Sequence, residues 1–143
     1  GEAMPWRCAA CGARSASIDD LLPGGAKAEE RLEAKVAQLK KMLLKGSTHA
    51  GAFRQVQGTL DSTLAECQRE LGDAHYATHA AHLLVTHLRA ARLQQFACYA
   101  RQGSLGVSDL LEVQPAIDEM VRSCLAMQAW HSSLGEEHLG RGA

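Results

Sequence analysis

The chain has 143 residues, 46% hydrophobic and 22% charged, with 15 Lys and Arg set against 16 Asp and Glu. That length supports one real core, since folding at this size buries roughly 68–70% of the surface an unfolded chain exposes. A near-neutral charge lacks the basic face by which nucleic-acid binders release phosphate counterions, and no run approaches the ~20 apolar residues of a membrane helix, so neither partner is expected.

The N-terminus shows no basic-then-apolar signal layout, which points to a cytoplasmic or nuclear setting. Five cysteines, an odd number, read as thiols and metal ligands better than as a disulfide framework. The chain starts at Gly1 rather than Met, which favours a processed chain or a fragment.

Residues 1–26 form a cysteine-containing segment and linker. Pro5-Trp-Arg-Cys-Ala-Ala-Cys-Gly12 holds two thiols at C-x-x-C spacing, and the small-residue stretch behind it ends in Pro23, Gly24 and Gly25. Asp19 and Asp20 read as a turn or capping element there. Residues 27–143 read as helical almost throughout. A first helix is expected from Lys27 to Lys45, with Leu32, Val36, Leu39 and Leu43 on one face and Gly46 and Ser47 ending it. Thr48 is the expected N-cap of the second, which runs from Ala50 to Glu70 with Phe53, Val56, Leu60, Leu64, Cys67 and Leu71 as its seam.

Gly72 stops that helix and Asp73 is expected to cap a third, from Ala74 towards Gln102, with a bend near Ala91. Tyr76, Ala80, Leu83, Leu84, Leu88, Phe96 and Tyr99 form its predicted buried face. A two-glycine turn over 103–109 follows. Pro115 fits the first turn of a fourth helix, whose predicted apolar stripe is Ile117, Met120, Val121, Cys124, Met127 and Trp130. No strand is expected. The fold class is therefore all-α, in antiparallel helix pairs. Glu70-Leu-Gly-Asp-Ala-His75 is echoed by Ser133-Leu-Gly-Glu-Glu-His138, and recurring turns of this kind build tetratricopeptide-like arrays.

Taken together, Trp6-Arg-Cys-Ala-Ala-Cys-Gly12, a linker, a mixed-charge helix ending Leu43-Leu-Lys-Gly46, and a helix closing on Glu66-Cys-Gln-Arg-Glu70 with Leu-Gly-x-x-His behind it carry a resemblance. The order resembles the C-terminal region of the SET- and MYND-domain (Smyd) protein-lysine methyltransferases, closest to the Smyd-four-like branch. The resemblance implies a post-SET zinc segment followed by a tetratricopeptide-like domain that walls the substrate cleft, packs on the SET domain and binds protein partners or peptide substrates. It also implies that Cys8 and Cys11 are zinc ligands. The family pattern there is C-x-C-x-x-C, and Trp6 stands where its first cysteine would be. The S-adenosylmethionine-binding and catalytic signatures match nothing in this chain, so S-adenosylmethionine belongs to the parent protein and no catalytic residue is assigned.

From the residues alone, Cys8 and Cys11 are half of a tetrahedral zinc site, which takes four Cys or His ligands. The alternative is a pair of free thiols, and a redox pair lacks the supporting βαβ pattern. His75, His79 and His82 share a helical face able to hold a metal, but ordinary capping and surface roles explain them more simply. Cys67, Cys98 and Cys124 are expected in the core. The run from Glu29 to Glu33, with Lys35, Lys40 and Lys41, reads as a solvated face. A stand-alone helical adaptor unrelated to methylation is the competing reading of function.

Overall fold

The computed structural model describes residues 6–7, 14–15, 21–45 and 50–133. Among the described residues the fold is all-α, with four helices: α1 (Gly25–Leu44), α2 (Ala50–Leu71), α3 (Tyr76–Arg101) and α4 (Val107–Ser133). One departure from the predicted strand-free chain is a minimal ladder near the N-terminus. Strands β1 (Trp6–Arg7) and β2 (Arg14–Ser15) pair antiparallel, Trp6 opposite Ser15 and Arg7 opposite Arg14. Two-residue strands are too short to show alternation, so the sequence carries no sign of them. Cys8, Cys11, Asp19, Asp20, Gly46, Thr48, the side chain of Phe53 and the repeat from Leu134 to His138 lie outside the described residues.

The chain divides into two compact units, Gly1–Ala81 and His82–Ala143, with the division inside α3. In the first, α1 and α2 pack antiparallel. Ala28, Leu32, Val36 and Leu39 of α1 are buried, as are Leu60, Thr63, Cys67 and Leu71 of α2 and Ala77, Thr78 and Ala81 of the first turns of α3. Three of the four residues predicted for α1 are thus core, and Leu43 is half-buried. Thr63 belongs to the core because its hydroxyl donates to the Thr59 carbonyl at 2.7 Å, so burial leaves no hydroxyl unsatisfied.

Helix ends follow local chemistry. At the end of α2, Gly72 takes φ +87°, a conformation costly for any residue with a Cβ, and its N–H reaches the Gln68 carbonyl at 3.2 Å. At the end of α3, Gly103 (φ +68°) and Ser104 send N–H groups back to Ala100 and Tyr99 at 3.2 and 2.9 Å, the paired bonds of a Schellman turn. Gly24 is constrained by crowding instead. Its N–H donates to the Glu70 carbonyl at 2.8 Å, and a Cβ there would lie 2.6 Å from Ala28 Cβ and 2.9 Å from Glu70 Cβ.

Several expectations for the later helices need correction. Asp73 does not cap α3, which starts at Tyr76 with His75 as its cap. Tyr76 is 59% exposed, its ring stacked on His75 at 4.6 Å instead of entering the core. Helix α3 is uninterrupted from Tyr76 to Arg101 and passes through Ala91 as helix. Helix α4 begins well before Pro115. Asp109 Oδ2 accepts the Gly106 N–H at 2.9 Å and the Leu110 N–H bonds the Gly106 carbonyl at 3.1 Å, so capping starts the helix at Val107. Pro115 is consequently inside the helix. Cys98 and Cys124 are exposed, and only Cys67 of the three expected core thiols is buried.

Candidate functional site

Two places in the described structure gather chemically informative side chains, one in each unit. The first is the turn from α2 into α3. His75 sits just before α3, and its Nδ1 accepts the Ala77 N–H at 3.1 Å. An imidazole nitrogen that accepts an N–H bond carries no hydrogen, so the neutral ring bears its proton on Nε2. That proton is donated to Glu29 Oε1 at 2.7 Å, from α1. Thr78 closes the turn by donating to the Gly72 carbonyl at 2.8 Å. The His75 side chain is only 10% exposed, so this histidine is a buried fastener between α1 and the start of α3.

Glu33 completes a group in which Glu29, Glu33 and His75 place ligand atoms within 4.8 Å of one another. Imidazole and carboxylate are ligand types that divalent metals accept. The hydrogen bonds argue the other way. A metal on Nε2 would push the imidazole proton to Nδ1, directly against the Ala77 N–H, and the α3 cap would be lost. The group as built fits a capping bond and does not fit a metal. His79 and His82 are not in this group; α3 starts at Tyr76, which leaves His75 in the turn, in the capping role expected to outweigh a shared metal face.

The predicted solvated face of α1 is also partly used. Arg31 and Lys35 reach across to Glu66 of α2 at 2.9 and 3.4 Å. The Arg31 hydrogen bond holds the Glu66 carboxyl below the ordinary carboxylate range, with Lys35 helping and burial opposing. Next to it, burial pushes the Cys67 thiol up, and the Glu66 charge adds to that push. A fully buried thiol kept protonated is a packing residue, not a nucleophile.

The second place is α4, in the unit from His82 onward. Three of its polar residues, Glu112, Glu119 and Ser123, engage α3. Arg92 Nη2 meets Glu112 Oε2 at 2.7 Å, Arg89 Nε lies 3.4 Å from Glu119 Oε2, and Arg89 also hydrogen-bonds Ser123 Oγ. Thr86 Oγ1 donates to the His82 carbonyl at 2.8 Å and lies 3.3 Å from Met127 Sδ. Partners advance along α3 as they recede along α4, so the two helices run antiparallel. Arg92 is stiffened further by lying over the Phe96 ring, 4.4 Å from its centroid.

Aliphatic residues of α4 also stand on its exposed side. Val107, Leu110, Leu111, Ile117, Val121 and Leu125 are 40–76% exposed. The predicted buried stripe is split: Ile117, Val121 and Cys124 are exposed, Met120, Met127 and Trp130 are half-buried, and among the described residues of α4 Ser123 is the buried one. Sequence periodicity grouped residues that the structure divides between a half-buried and an exposed side of the helix.

The predicted metal ligands Cys8 and Cys11 fall between β1 and β2 and outside the described residues. Among the described residues, no helix is long and apolar enough to cross a membrane. Comparison with protein-family models, curated proteins and solved structures yields no match to this chain.

Proposed function

We propose that this chain is a helical protein-interaction module whose working surface is the outer face of α4. One observation carries this reading: six large aliphatic side chains stand in water along a helix whose inward face is held by ionic and hydrogen-bonding contacts. Several exposed large aliphatic side chains gathered on one helix are the kind of surface on which another protein docks. The test is to replace Leu111 and Val121 together by Glu. A docking face tolerates this with a change in unfolding free energy below about 0.5 kcal/mol, whereas packed core would lose several. A large loss overturns the reading.

A second reading is supported by the N-terminal ladder and the antiparallel helix pairs. In it the module is the C-terminal region of a Smyd-like protein-lysine methyltransferase, arranged as a tetratricopeptide-like array. Trp6–Arg7 pairs with Arg14–Ser15, and Cys8 and Cys11 lie between these strands in the sequence; in this reading they are two of the four ligands of a structural zinc. Two thiolates are half of a structural site, so the remaining ligands come from elsewhere. S-adenosylmethionine would be held by a SET domain outside this chain, whose helices would wall the substrate cleft and bind protein partners in the cytoplasm or nucleus. Metal analysis of the purified chain tests it: less than one tightly bound zinc per chain, abolished by Cys8→Ser, is expected. Zinc content unchanged by that substitution would remove the support.

A further inference from the structure

We propose that the turn from α2 into α3 is a proton-operated latch, in which protonation of His75 frees the first turn of α3 while the ring stays bonded to α1. The device follows from the different jobs of the two ring nitrogens. Nδ1 accepts the Ala77 N–H at 3.1 Å, and Nε2 donates its hydrogen to Glu29 Oε1 at 2.7 Å. A proton added to neutral imidazole goes to the nitrogen that lacks one, here Nδ1, and both nitrogens of the cation are donors. The new Nδ1–H then opposes the Ala77 N–H and that bond is lost. Nε2 keeps its bond, which becomes half of an ion pair with Glu29.

The surroundings of the ring make the change local. The charged groups facing it come from α1: Glu29 holds Nε2, and Glu33 has a carboxylate oxygen within 4.8 Å of a ring nitrogen. From α3 the Tyr76 ring stacks on it at 4.6 Å, and on the α2 side its backbone N–H bonds the Gly72 carbonyl at 3.4 Å. Glu70, at the end of α2, is bonded to Arg69; Asp73 in the turn is exposed, and His79 lies one turn further along α3. The imidazolium therefore keeps carboxylate partners within the fold, and the loss falls on α3. Ala77 is 2% exposed, so water does not readily take the place of Nδ1. The release stops at Thr78, whose hydroxyl holds the Gly72 carbonyl at 2.8 Å through a bond that involves no titrating group. Imidazole ordinarily changes charge between pH 5 and 8, which sets the range to search.

The experiment is NMR on the isotope-labelled full chain from pH 8 to pH 5, following the His75 ring nitrogens and the exchange of the Ala77 amide. At pH 8 the ring should carry its hydrogen on Nε2 alone. As it takes up the second, Ala77 exchange, corrected for the intrinsic pH dependence of exchange, should quicken about tenfold relative to Ala81, the size of one hydrogen bond. The ring should keep its cross-peaks to Glu29 throughout. His75→Asn supplies an acceptor that does not titrate, and in that variant Ala77 exchange should be independent of pH. A hydrogen on Nδ1 at pH 8, a ring still neutral at pH 5, Ala77 exchange unchanged by protonation, loss of the Glu29 cross-peaks, or a pH dependence that persists in His75→Asn each overturn the proposal.

Discussion

His75 accepts the Ala77 N–H through Nδ1 and donates through Nε2 to Glu29, 2.7 Å away, so one imidazole both caps α3 and ties its start to α1. Removing the ring removes both bonds. His75→Ala should destabilise the chain by about 2 kcal/mol, combining a lost cap with a half-buried carboxylate deprived of its donor. His75→Asn keeps a capping acceptor and should recover about half of that, near 1 kcal/mol. Urea denaturation of the two variants checks the partition, and equal losses would show that the cap contributes nothing.

Gly24 is held by space, because its backbone φ of −90° suits any residue. Gly24→Ala should cost about 1–3 kcal/mol as the Glu70 side chain and Ala28 are forced apart. The readout is the midpoint of thermal unfolding. An unchanged midpoint would mean that the segment before α1 can move away from α2 freely.

Glu66 supplies a pH dependence whose sign follows from its lowered pKa. Between the lowered folded value and the ordinary unfolded one, the unfolded chain binds more protons, so stability rises with pH through that window. The contribution is fully present above the ordinary carboxylate range and is lost as pH falls through the folded value. Glu66→Gln should flatten this acid limb and cost under about 1 kcal/mol at neutral pH, since the pairs are partly exposed. Chemical denaturation from pH 3 to 7 would expose a limb that survives the substitution, and that outcome would assign it to other carboxylates.

Burial separates the thiols. Cys67, fully buried and with its thiol held protonated, should resist iodoacetamide in the folded chain, while the exposed Cys98 reacts at neutral to mildly alkaline pH. Peptide mass mapping after a short pulse checks this. Cys67 labelling as fast as Cys98 would mean that the α1–α2 core opens on the timescale of the reaction.

Pro115 lacks the N–H that would bond the Leu111 carbonyl, and it stands exposed within α4. Pro115→Ala should therefore stabilise the chain by about 1–3 kcal/mol, less than or equal to the full helix-interior penalty. The measurement is denaturant unfolding. A destabilised variant would show that the proline's restriction of the chain matters more than its missing bond.

The sequence by itself determined the helical class, the first three helices to within about two residues, and the core of the α1–α2 pair. Leu32, Val36 and Leu39 face Leu60, Cys67 and Leu71 because their spacing leaves no other shared face, and Gly72 ends α2 because only glycine takes its backbone angle at low cost. Thr63, Thr78 and Thr86 were not legible as core residues. The hydroxyls of Thr63 and Thr86 bond carbonyls one turn back and that of Thr78 bonds the Gly72 carbonyl before α3, which removes the penalty that hydropathy assigns them. The His75–Glu29 bond joins residues 46 apart, a relation that no local pattern encodes. Tertiary structure alone decided which way α4 faces. Periodicity groups side chains onto one side of a helix, but the structure divides the predicted α4 stripe: Arg89 and Arg92 of α3 engage Glu119, Ser123 and Glu112, Met120 and Met127 are half-buried, and Ile117 and Val121 stand exposed.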